Sequence, residues 1–280
     1  MKHSAHLLLL IWFLSCSDRE GEDQSHLVFR YNEDGNITSL DPAFTRNIEN
    51  IWATTHMFNG LVQLNDKLEV IPDIAEQWRI SADGLVYEFQ IRKNVFFHSH
   101  PAFGDKKTRK VIASDFVYSL KRLLNPQIAS PGGWVLQNVK HIKAKNDQHL
   151  IIALKQPLPA FLGLLSMRYC SVVPHEVADQ EEIDFGRNPI GTGPFAFKNW
   201  EEDVKLVLRK NPLYFERDST GKALPYLESI AITFVPDKQS EFMLFLQGKL
   251  DLMNSLDNSY KDELLTMEGK LSEKYKDKIN

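Results

Sequence analysis

At 280 residues, 43% hydrophobic and 25% charged, the chain has ordinary globular composition and the length for one large domain or two smaller ones. A formal net charge of −4 argues against a nucleic-acid partner, which needs a clustered basic face. The densest basic stretch, Lys106, Lys107, Arg109 and Lys110 around Thr108, reads as a solvated loop.

Met1, Lys2 and His3 precede an apolar run over 7–14, and Ser15, Cys16 and Ser17 follow. The run is far short of the ~20 apolar residues a bilayer-spanning helix needs. A charged start, an apolar stretch and a small residue before the cut read as a secretory signal. Cys16 directly after that small residue resembles a bacterial lipobox, although Phe13 and Leu14 depart from its usual leucine and small residue. Residues 1–16 are therefore expected to be a lipoprotein signal peptide ending at its lipid-attachment cysteine, with 17–26 as a polar tether. With Cys16 acylated, Cys170 stands alone, so no intrachain disulfide is expected. Its apolar surroundings predict a small buried hydrophobe rather than a nucleophile.

A strand is expected at 27–31, then a turn at Asp41-Pro42 and a helix over 47–58 resting on Ile48, Ile51, Trp52, Thr55 and Met57. Asn59-Gly60 should end that helix through a left-handed glycine. A short strand follows at 61–64. The clearest hairpin spans 77–92, because Asp83-Gly84 supplies the turn and Leu85, Tyr87, Phe89 and Ile91 alternate beyond it. Ser114 should cap a helix over 115–124 with Phe116, Val117, Leu120, Leu123 and Leu124 on one stripe. Strands at 139–145 and 150–154 and a short helix at 160–166 come next. After the glycine-proline segment 190–194, strands are expected at 195–200, 204–209 and 230–235. A helix over 240–247 should be capped by Ser240 and closed by Gly248, with a last strand at 250–253. The tail 257–280 is charge-rich and offers a thin apolar stripe, enough for a surface helix but not a core.

Several features invite chemistry. Gly191-Thr192-Gly193 lacks the following helix and lysine of a phosphate loop and reads as a tight turn. His98 and His100 share a strand face, but no second ligand pair stands at metal spacing, so no metal is expected. Asp41, Asp83, Glu88 and Asp115 fit turn, strand-face and cap roles. No Ser-His-Asp or Cys-His arrangement is suggested, so no enzyme and no cofactor are expected.

Several stretches, in order, resemble the family 5 extracellular solute-binding proteins of ABC transporters, the oligopeptide- and dipeptide-binding group. The longest begins Ile71-Pro72-Asp73-Ile74-Ala75-Glu76-Gln77-Trp78 and runs through Ser81-Ala82-Asp83-Gly84 to His98. The others are the helix from Ala113-Ser114-Asp115 to Arg122, Asn188-Pro189-Ile190-Gly191-Thr192-Gly193-Pro194-Phe195, Arg209-Lys210-Asn211-Pro212-Leu213-Tyr214-Phe215 and Gln247-Gly248-Lys249-Leu250-Asp251. Asn94 and His98-Ser99-His100 depart from the family pattern, so that loop is expected to differ.

The resemblance implies an α/β, class II periplasmic-binding-protein-like first lobe with a mixed sheet and an inserted α+β subdomain. Lobe I would comprise 27–66 and 188–255, the insert 67–187, and the charged tail 256–280 the place where a second lobe should begin. That lobe is missing, so the chain reads as a truncated member. The acidic residue that pairs with a peptide's amino terminus would lie in the absent lobe. Phe44, Thr45, Arg46 and Asn47 match the family stretch that runs along the ligand cleft; Thr45 alternatively caps the following helix. The function implied is capture of short peptides or similar small solutes for ABC permease subunits, on a membrane through the lipid anchor. Alternatives are a carrier of nickel, haem or oligosaccharide, or a non-transporting surface lipoprotein acting as a protein-interaction module.

Overall fold

The structure is a computed structural model that describes residues 27–276. Cys16 and the expected signal sequence and tether lie outside these residues. In chain order the strands are β1 (Val28–Asn32), β2 (Val62–Leu64), β3 (Val70–Pro72), β4 (Ala75–Ile80), β5 (Val86–Ile91), β6 (Val139–Asn146), β7 (His149–Leu154), β8 (Phe195–Glu201), β9 (Lys205–Lys210) and β10 (Ser229–Thr233). The α-helices are α1 (Ile48–Thr55), α2 (Ala113–Arg122), α3 (Phe161–Leu165), α4 (His175–Ala178), α5 (Lys238–Leu246) and α6 (Asn258–Leu264).

The first sheet has the order β1-β10-β9-β8, with β1 and β10 parallel and the other neighbours antiparallel. It is the mixed sheet expected from the resemblance. Period two builds it: Leu206 and Leu208 of β9 and Ile230 and Ile232 of β10 are buried, whereas Lys205 and Arg209 face out. The chain between β1 and β8 makes a wholly antiparallel second sheet, β4-β5-β7-β6. Its β4–β5 turn is the Asp-Gly turn read from sequence, with Gly84 at φ +70°. The ribbon β2–β3 pairs Leu64 with Val70, on either side of residue 67. One contiguous core serves both sheets, from Phe89 and Ile152 through Phe58 and Ile74 to Leu206 and Ile232.

Several local expectations are corrected. Ser114 is exposed in the first turn of α2, and Asp115 instead reaches back to accept the Ile112 N–H at 2.9 Å. Likewise Asp237, not Ser240, caps α5, accepting the Ser240 N–H at 2.8 Å. A carboxylate is the stronger acceptor at a helix N-terminus. α1 ends at Thr55, and Gly60 has no left-handed φ; its N–H donates to Asp73 at 2.9 Å. Residues 250–253 form no strand, only a parallel bridge from Leu252 to Tyr31. The tail carries a small core of its own, because Leu264 and Tyr275 bury against Phe242 of α5. Arg109 is not simply solvated. It holds Asp115 through two bonds of 2.8 Å, pairs with Glu176, and lies over the rings of Phe97 and Phe103.

Candidate functional site

The site grows from α1, whose polarity inverts the usual pattern. Its buried side is Asn50, Ala53 and Thr54, with Met57 beyond. Asn50 is satisfied there: its Oδ1 accepts the Thr38 N–H at 3.1 Å and its amide donates to Thr38 Oγ1 at 3.0 Å. The Thr54 hydroxyl donates to the Asn50 carbonyl at 2.6 Å. Polar groups paired in this way are tolerated inside. Ile48, Ile51 and Trp52, which read as the helix's core stripe, therefore point outward and are 58%, 36% and 37% exposed.

Ile51, Trp52, Thr55 and His56 form one wall of an apolar groove of about 450 Å³, with Phe29, Tyr31 and Leu252 opposite. The Tyr31 ring lies 6.4 Å from that of Trp52 and 6.3 Å from that of His56. Desolvation lowers His56 to about 4, so the imidazole is neutral at physiological pH. Desolvation, and then the charge of Glu33, raises the Tyr31 phenol above its ordinary value. These groups offer apolar contact and hydrogen bonding, not acid-base chemistry at neutral pH.

Phe44, Thr45, Arg46 and Asn47 precede α1 in the chain and are not among the residues that line this groove. Asp41 caps the 3-10 turn Pro42–Phe44, accepting the Ala43 N–H at 2.9 Å. The buried Thr45 hydroxyl donates to the Pro42 carbonyl at 2.8 Å, so Thr45 closes that turn and does not cap α1. Phe44 packs against the core, Arg46 is exposed, and Asn47 occupies the N-cap of α1 without a side-chain cap bond. The Asn47 Oδ1 is buried and has no partner among the described residues.

Behind the groove, Gly191-Thr192-Gly193 is a packed turn. A Cβ on Gly191 would lie 2.0 Å from the Met57 carbonyl oxygen, and one on Gly193 2.5 Å from the Met57 carbonyl carbon. Both ring nitrogens of His98 are spent on this turn: Nε2 donates to Gly193 O at 3.0 Å and Nδ1 accepts the Gly191 N–H at 3.3 Å. His100 accepts the Ala102 N–H at 3.2 Å. Cys170 is buried, and burial pushes its thiol up to about 12. Asp83 fastens its hairpin turn, bonding Ser81 at 2.5 Å and the Leu85 N–H at 3.1 Å, and Glu88 sits on the exposed strand face. No helix among the described residues is long and apolar enough to cross a membrane.

Residues 69–279 match the family model described as bacterial extracellular solute-binding proteins, family 5 Middle. The chain belongs to family 5. Among family 5 relatives, the "Probable di/tripeptide-binding protein 5" of Pseudomonas aeruginosa is 32% identical, over 76% of this chain and 43% of its own. "Heme-binding protein A" of Haemophilus influenzae is 29% identical, over 72% of this chain and 38% of its own. In space the chain is similar to the ABC transporter-associated periplasmic binding protein DppA of Helicobacter pylori, solved in complex with the peptide STSA. That match has a TM-score of 0.76 at 28% identity and covers 85% of this chain and 48% of the other. The chain thus spans about half the length of the relatives it matches, and its α/β fold is that of part of a family 5 periplasmic binding protein.

Proposed function

We propose that this family 5 protein is the substrate-binding lipoprotein of an ABC importer, anchored through Cys16, that captures short peptides or similar small solutes for permease subunits. The segments 27–66 and 188–255 form the lobe core, 67–187 its insert, and together they supply one jaw of a two-jawed trap. The observation that carries this reading is family membership with relatives named for di- and tripeptide binding. The geometry is compatible with it: the carbonyls of Thr45 and Arg46 accept no hydrogen bond among the described residues, and they come just before α1, whose outer face lines an open apolar groove. Free main-chain acceptors beside apolar side chains suit an extended peptide and tolerate many side chains.

A second reading, capture of haem, is favoured by the haem-binding relative and by the aromatic lining of Phe29, Tyr31 and Trp52. Titrating the 280-residue chain with Ala-Ala-Ala and with haemin separates the two. Weak, fast-exchange amide shifts at residues 44–47 and along α1 are expected with the peptide, because one jaw desolvates only part of the ligand. Haemin binding without any peptide response would replace the first reading with the second. No response at these residues to either ligand would remove both.

A further inference from the structure

Just past β1, the segment Glu33-Asp34-Gly35 meets the N-terminal turns of α1 and α5. The Glu33 N–H donates to the Thr233 carbonyl at 3.0 Å, so Glu33 continues the parallel β1–β10 ladder at its carboxyl edge. Ligands of open α/β sheets gather at that edge. Glu49 arrives from α1: a Cβ on Gly35 would lie 2.6 Å from its Oε1. Glu241 and Lys238 arrive from α5. Lys238 Nζ donates to Asp34 at 2.5 Å, to Glu241 Oε2 at 2.9 Å and to Ser255 Oγ at 2.7 Å. Lys238 thus bonds Asp34 and Glu241 directly, and its charge also acts on Glu33.

Two of these carboxylates are left incomplete. Glu33 is 4% exposed and Glu241 0%, yet Oε1 of each has no hydrogen-bond partner among the described residues. The unpartnered Asn47 Oδ1 belongs to the same turn of α1 as Glu49. An unpaired carboxylate oxygen out of water is strongly unfavourable and is relieved by an N–H donor, best of all a charged one. Burial and then Glu49, Asp34 and Glu241 push the Glu33 carboxyl up to about 7 against the pull of Lys238, as a shortage of positive charge requires. No group of three or more His, Cys, Asp or Glu side chains among the described residues could hold a metal ion.

We propose that Glu33 and Glu241 form a receptor for a basic side chain of the bound solute, its ammonium or guanidinium group, distinct from a peptide's amino terminus. This rests on the solute-binding reading and narrows it to solutes that carry a basic group.

The test uses the full chain and two probes. In the first, the Glu33 side-chain carboxyl is titrated by NMR in n-butylammonium chloride and in sodium chloride at equal ionic strength. The amine is expected to lower its midpoint by about half a pH unit relative to sodium. Identical midpoints overturn the receptor. In the second, Ala-Lys-Ala is compared with Ala-norleucine-Ala. A preference of roughly tenfold for lysine is expected in the native chain and lost in Glu33→Gln. Glu241→Gln is the parallel variant, with circular dichroism verifying the fold of each. Equal binding of both peptides overturns the receptor and leaves the proposed function intact. An amine effect without any peptide binding overturns the proposed function and leaves the receptor standing.

Discussion

Arg122 grips Asp41 through both terminal nitrogens, at 2.9 and 2.6 Å, with the two side chains only 7% and 4% exposed. The pair ties α2, which packs on the second sheet, to the turn that presents residues 44–47. Removing one partner of a buried pair leaves a charge with no compensation. Asp41→Asn is therefore expected to lower stability by about 3–5 kcal/mol in urea denaturation. Adding Arg122→Met removes the stranded guanidinium, so the double variant should lose less than the two single losses added together. Strict additivity would show that the pair is not coupled.

Gly193 and Gly163 offer a matched contrast. A methyl on Gly193 meets Met57 backbone atoms well inside contact distance, whereas one on Gly163 in α3 meets nothing within 4 Å. Gly193→Ala is expected to destabilise by about 1–3 kcal/mol or more. Gly163→Ala should be neutral or stabilising by up to about 1 kcal/mol. Thermal melts of the two variants check the difference in sign.

Two buried groups set opposing pH dependences. Desolvation raises Asp73 to about 7, against the hydrogen bonds from Gly60 and Asn59 and the charge of Arg168. The native state then holds this proton longer than the unfolded chain. Its contribution is fully present below about pH 4 and is lost as pH rises through about 7. Desolvation lowers His98 to about 4, so its contribution is present above about pH 6.5 and is lost as pH falls through about 4. Asp73→Asn should therefore gain stability relative to the native chain as pH rises from about 4.5 to about 7.5. Urea titrations at both ends measure this, and a pH-independent difference would exclude Asp73 as the source.

Cys170 should resist alkylation in the folded protein, because its thiol is buried and holds its proton far above neutral pH. Peptide mapping after iodoacetamide at about pH 8 is expected to find it unmodified in buffer and modified in denaturant. Rapid labelling of the native chain would contradict its burial.

What could be read from the sequence was local. The hairpin at Asp83-Gly84 and the stripe of α2 rest on turn chemistry and periodicity contained in a few residues, and both appear in the structure, except that α2 ends at Arg122 and Leu124 beyond it is 48% exposed. The inverted face of α1 was not legible, because Asn50 and Thr54 look solvent-facing until Thr38 folds over them. Both misplaced helix caps came from preferring a serine over a nearby aspartate. Arg109 read as a solvated charge because its partner Glu176 lies 67 residues away. Glu33 and Glu241 carried no signal at all, since only the β1–β10 pairing brings their segments together. The segment 44–47 was singled out through resemblance alone, and the groove lined by α1 was hidden by the inversion of that helix.

The uninterrupted core beneath both sheets bears on how the molecule would move. Because Phe89 of β5, Ile152 of β7, Phe58, Ile74, Leu208 of β9 and Ile232 of β10 belong to one buried cluster, the two sheets are expected to behave as one body. A closing motion would carry this body as a single lever, and heat should dismantle it in one cooperative step. Hydrogen exchange would then report similar deep protection in Phe89 and in Ile232, although they belong to different sheets.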